Sequence, residues 1–79
     1  MPSNAMTPVN RINPDKLLNS KWTAVNPVNG ERHFIVVALL RDNLERITGC
    51  ELEAVINRKR YVMDWQLLKE KSAWQIGWQ

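Results

Sequence analysis

The chain has 79 residues, eleven Lys or Arg against eight Asp or Glu, a formal net charge of +3, one cysteine and one histidine. That length allows one domain near the lower limit for folding on a single core; a lone cysteine excludes an intrachain disulfide, and one Cys with one His excludes a structural zinc site of ordinary composition. Core packing or self-association must supply the stability.

In chain order, Ser3-Asn4-Ala5 ahead of Met6 reads as a protease-cleavage scar, although Met1-Pro2 fits that origin poorly; residues 1–12 are expected to be scar and disordered lead-in, and 13–79 a single Trp-rich β domain. Asn13-Pro14-Asp15-Lys16-Leu17-Leu18 has the marks of one helical turn: an Asn cap, a Pro preset for the first helical position, and an Asp at the positive end of the dipole. Residues 21–25 read as a strand, and the following Asn29-Gly30 pair accepts positive φ, so a hairpin into 32–40 is expected. A polar turn at 41–43 leads to a third extended segment, 47–57, in which Cys50, Leu52, Ala54 and Ile56 share one face and Glu51 and Glu53 the other. Arg58-Lys59 then turns into a fourth strand, 60–64.

The second strand is apolar on both sides, with His33, Ile35, Val37 and Leu39 on one and Phe34, Val36, Ala38 and Leu40 on the other, so both faces need a cover. A closed barrel or a homodimer interface would provide it. Asp64 is an N-cap for a short helical turn over 65–70. Trp74, Ile76 and Trp78 alternate with Gln75 and Gly77, which favours a fifth strand over a helix, although Trp74 and Trp78 also stand i,i+4. The resulting fold class is mainly β: a small five-stranded SH3-like barrel, or a strongly curved antiparallel meander, with a short helical turn before the last strand.

Burying one indole removes roughly 200 Å² from water, a gross gain of about 5 kcal/mol that matches the net stability of a small domain. At least three of Trp22, Trp65, Trp74 and Trp78 are therefore expected inside, with Trp22 and Trp74 foremost. The longest apolar run, 34–40, is too short to span a bilayer and no secretory leader pattern opens the chain, so a cytoplasmic protein without a membrane partner is expected.

The segments 13–25, 31–34, 52–55, 64–69 and Trp74-Gln75-Ile76-Gly77-Trp78 together resemble a family of short tryptophan-rich bacterial proteins classed as a domain of unknown function. The resemblance covers the chain from Asn13 onward and implies no activity. A looser likeness, of strand order and of the turn at 64–68, is to SH3-like and Tudor-like barrels, which host many unrelated binding roles.

No catalytic constellation stands out. His33 lacks a nucleophile and an orienting acid at recognisable spacing, and reads as structural. Cys50 shares an apolar strand face and reads as a small buried hydrophobe. Glu51 and Glu53 read as a solvated pair, and three scattered glycines form no phosphate loop. Neither a metal nor a cofactor is expected. The sharpest charge signal is Arg58-Lys59-Arg60 followed by Tyr61; with Trp65 or Trp78 as a stacking face it forms a candidate single-stranded nucleic-acid site, against the simpler reading of a solvated turn that protects a sheet edge. The expectation is a non-enzymatic binding module, directed first to nucleic acid and alternatively to a protein partner or to itself as a homodimer.

Overall fold

A computed structural model describes residues 9–79. Five antiparallel strands form one sheet: β1 (Lys21–Val28), β2 (Glu31–Arg41), β3 (Ile47–Ala54), β4 (Arg60–Met63) and β5 (Trp74–Ile76), in the spatial order β4-β3-β2-β1-β5. β4 and β5 are its two edges and do not pair, so the sheet is an open, curved meander and not a hydrogen-bonded closed barrel. The β1–β2 hairpin turns on Asn29 and Gly30, at φ 57° and 74°, the positive values a tight hairpin requires.

Two 3-10 turns frame the sheet. The first, Pro14–Lys16, is capped by the Asn13 side chain, which accepts from the Asp15 N–H; the second, Trp65–Lys69, is capped by Asp64, which accepts from the Gln66 N–H. They deliver Leu17, Trp65 and Leu68 onto one face of the sheet, where these join Trp22, Phe34, Val36, Cys50, Leu52 and Ala54 in the core.

Several expectations need correction. Residues 9–12 are not a loose lead-in: Val9 bridges to Glu70, and buried Asn10 donates its amide to the carbonyls of Leu68 and Trp74 while its backbone N–H meets Lys69. The cleavage-scar reading concerns residues that lie outside the described ones. Strict alternation fails in β2, where a bulge between Val36 and Ala38 moves the core-facing set from Phe34 and Val36 to Leu39. β3 ends at Ala54, leaving Ile56 exposed in the turn. The last strand stops at Ile76, because Gly77 at φ 79° redirects the chain and Trp78 leaves the strand's alternation.

Of the four indoles, Trp22 and Trp65 are buried, Trp74 is half-buried against the core, and Trp78 is 44% exposed. The need to cover β2 is met on the core side by the two 3-10 turns and on the other partly by the C-terminal residues. There the Trp78 indole donates to the Phe34 carbonyl and Gln79 accepts from His33.

Candidate functional site: an aromatic pocket at the open seam

Phe34 sits on the central strand, directly opposite Trp22 on one side and Ala54 on the other. Directly paired residues of an antiparallel sheet share a face, so the same face carries Tyr61 of β4, opposite Leu52, and Trp74 of β5, opposite Ala24. In a flat sheet the two edge strands would stand about 19 Å apart, four spacings of about 4.8 Å. Here both edge aromatics meet the Phe34 ring edge-on, Trp74 at 5.3 Å between centroids and Tyr61 at 6.3 Å. Curvature has drawn the edges together over small residues, Ala24 and Ala54, without joining them.

The space left at this seam is a pocket of about 200 Å³ lined by Glu31, Phe34, Leu52, Tyr61, Met63 and Trp74. Glu31 opens β2 immediately after the hairpin turn and is only 6% exposed. Its two carboxylate oxygens are held by neutral donors, the Asn57 amide and the Tyr61 hydroxyl, each at 2.6 Å. These bonds favour the charged form, first Asn57 and then Tyr61, and with nearby Lys59 they hold the Glu31 carboxyl below its usual range; the same bond pushes the Tyr61 phenol up. Among the described residues Glu31 has no ion-pair partner. A buried carboxylate thus remains charged at neutral pH with no cation in contact.

The indole N–H groups sort the tryptophans by role. Trp22 donates to the Ser20 hydroxyl, Trp65 to the Ile47 carbonyl and Trp78 to the Phe34 carbonyl, whereas Trp74 has no such partner among the described residues. Two rings also carry the protein's own cations: Lys69 lies over Trp65 and Lys21 over Trp78, at 5.0 and 4.7 Å from the centroids. Trp74 alone brings both an uncommitted N–H and a place in the pocket.

The residues expected to bind nucleic acid are dispersed by comparison. Arg58 and Lys59 occupy the exposed β3–β4 turn, but Arg60 is engaged by Glu53 at 3.0 Å and Glu51 at 3.8 Å on the sheet's other face. Tyr61 turns its hydroxyl to Glu31. Trp65 is 8% exposed and offers no open stacking face, and Trp78 is flanked by Lys21 and by His33, whose ring centroid is 5.9 Å away. Glu53 accepts a hydrogen bond from Arg60 and Glu51 is its ion-pair neighbour, so the two are not a bare solvated pair. His33 is held by the Gln79 carbonyl, and Cys50 is buried with its thiol pushed up to about 11, first by burial and then by the charge of Asp64.

Sequence reasoning passed over Glu31, Phe34, Asn57 and Trp74 as a set. The available signal was an acid placed at the mouth of an apolar strand, directly after its turn, with a ring three residues on. The contribution of Trp74 needed the β1–β5 register, which strand patterning does not provide.

Fold and pocket together define a small open-sheet β module with an aromatic, carboxylate-bearing seam. The chain belongs to the tryptophan-rich protein family DUF2389, a family of unknown function, whose model matches residues 20–79. No curated protein matches the chain, and no solved structure does.

Proposed function

We propose that the protein is a non-enzymatic binding module that takes a protein ligand at the seam between β4 and β5. The observation that carries this reading is the seam pocket itself, where Phe34, Tyr61 and Trp74 surround an ionised Glu31 that no cation contacts. Pockets of this composition, apolar with one convergent polar group, are the usual form of a recognition site. The non-enzymatic reading is supported by the state of the two reactive side chains, a buried thiol with a raised pKa and an imidazole committed to a backbone carbonyl. The two unpaired cations, Arg58 and Lys59, are the remaining support for single-stranded nucleic acid, and two phosphate contacts give only weak, salt-sensitive binding.

The test is capture by the immobilised chain from a lysate of the cells that make it, with and without nuclease treatment, comparing wild type, Trp74→Ala, and a triple alanine variant of Arg58, Lys59 and Arg60. The expected result is a salt-tolerant protein partner kept by the triple variant and lost by Trp74→Ala. Retention that nuclease abolishes, or that follows the three cations, contradicts the reading and restores nucleic acid.

A further inference from the structure

We infer that the seam pocket recognises an alkylated ammonium group, presented as a methylated lysine side chain of the protein ligand; this rests on the module reading above. Three features of the pocket select the class. First, its charge is negative with no cation in contact: Glu31 is buried and ionised, its carboxylate is bonded to the Asn57 amide and the Tyr61 hydroxyl, and Lys59 acts on it only from a distance. A cation entering beside it gains attraction at short range and displaces no resident partner.

Second, the walls are aromatic and apolar. Phe34 meets Trp74 and Tyr61 in edge-to-face contacts, at interplanar angles of 79° and 65°, so the three rings do not stack into a closed block. Ring faces attract cations through their quadrupole, most strongly for Trp and most of all when the cation has shed water. The same chemistry already operates twice in this molecule, Lys69 over Trp65 and Lys21 over Trp78, and the rings lining the seam have no cation over them among the described residues.

Third, the pocket offers few acceptors. A bare lysine ammonium carries three donors and a tight hydration shell, whereas the Glu31 oxygens, each already accepting one bond, have about one lone pair apiece to spare and Leu52, Met63 and the rings accept almost none. Desolvating a bare ammonium here would leave at least one N–H without a partner. Methyl groups remove those donors, keep the positive charge and spread it over an apolar surface that fits ring faces. Charge selects a cation, and the scarcity of acceptors selects an alkylated one.

The experiment titrates the full-length ¹⁵N-labelled chain with four probes: acetyl-trimethyllysine-amide, the unmethylated lysine equivalent, a neutral analogue carrying a tert-butyl group in place of trimethylammonium, and choline. The Trp74 indole N–H and the amides of Phe34 and Tyr61 are followed. Saturable shifts are expected at these positions with the trimethyllysine probe, at about ten-fold higher affinity than the neutral analogue, the scale of a desolvated cation–ring interaction. The unmethylated probe should bind more weakly than the trimethylated one, and Glu31→Gln should lose most of the charge preference. Because Glu31 also ties Asn57 to Tyr61, Trp74→Leu is the second variant, and the neutral analogue tests the charge preference on the wild-type protein without any variant.

Equal binding of the neutral analogue, or no saturable shift at the seam, overturns the ammonium assignment. Choline binding as tightly as the lysine probe overturns the protein side chain as its source. If partner capture remains Trp74-dependent while the trimethyllysine probe fails, the ammonium assignment falls and the module reading stands. If capture proves independent of Trp74, the module reading falls by itself.

Discussion

Cys50 shows how one buried atom makes a pH-dependent claim. Its thiol lies fully inside the core on β3, and burial followed by the charge of Asp64 raises its pKa from 9.0 to about 11. The folded state therefore keeps a proton that the unfolded chain releases, so stability falls as pH rises from about 9 to about 11. Cys50→Ala should lack that part of the alkaline decline when unfolding midpoints are followed against pH, and the native thiol should resist maleimide until the chain unfolds. Glu31 works in the opposite direction. Its carboxyl is held below the usual range, so its contribution is present at neutral pH and is lost as pH falls below about 4.5 and through the lowered value. Comparing Glu31→Gln with the parent isolates this from Asp42, whose carboxyl is also lowered, chiefly by the Arg46 backbone N–H. Trp22 is the packing counterpart: it is 2% exposed with its N–H on Ser20, and Trp22→Ala should cost roughly 3 to 5 kcal/mol, enough to unfold the chain in a thermal melt.

Among the elements, the N-terminal segment and the β3–β4 turn make contrasting predictions. Asn10 clips the chain's start to the second 3-10 turn and to β5 by its bonds to Leu68, Trp74 and Lys69. Removing its amide leaves two carbonyls short of a donor, so Asn10→Ala should destabilise by about 1 to 3 kcal/mol, a drop of several degrees or more in melting temperature. Arg58 instead carries a left-handed backbone, at φ 63°. Glycine takes that conformation without a Cβ penalty, so Arg58→Gly should stabilise the hairpin by up to about 1 kcal/mol, and a fall in the melting temperature would show that the side chain makes a needed contact. The helical turns and the first hairpin were legible because caps and turn chemistry are local: Asn13, Pro14, Asp64 and Asn29-Gly30 act on their immediate neighbours. The β2 bulge, the ordered residues 9–12 and the departure of Trp78 from its strand were not legible, because each is decided by a distant partner: the β3 register, Leu68 with Trp74, and Phe34.

At the scale of the whole molecule, a five-stranded sheet curls until its edges converge yet do not pair. Five antiparallel strands with a short helical turn before the last were readable from patterning, whereas the expectation of at least three indoles inside, Trp74 among the foremost, was not met: Trp22 and Trp65 are buried, Trp74 is half-buried and Trp78 is exposed. The pocket was not readable, because its walls come from β2, β3, β4 and β5 with Asn57 of the β3–β4 turn holding Glu31, and only curvature brings Glu31, Tyr61 and Trp74 around Phe34. The basic run at 58–60 is conspicuous in sequence because it is contiguous; in space Arg60 faces its own carboxylates and the aromatic neighbours are engaged elsewhere. No helix among the described residues is long and apolar enough to cross a membrane.

The existence of an accessible, ligand-ready seam is tested most directly by hydrogen exchange of the four indole N–H groups in the ligand-free protein. Trp22, Trp65 and Trp78 donate to Ser20, Ile47 and Phe34, while Trp74 has no acceptor among the described residues and lines the pocket. Bonded N–H groups in packed surroundings exchange only when the structure opens, whereas an unbonded one beside an open pocket exchanges readily. The predicted result is three protected indoles and a fast-exchanging Trp74. A Trp74 N–H as protected as that of Trp22 would mean that the seam is closed and the pocket is not available to a ligand.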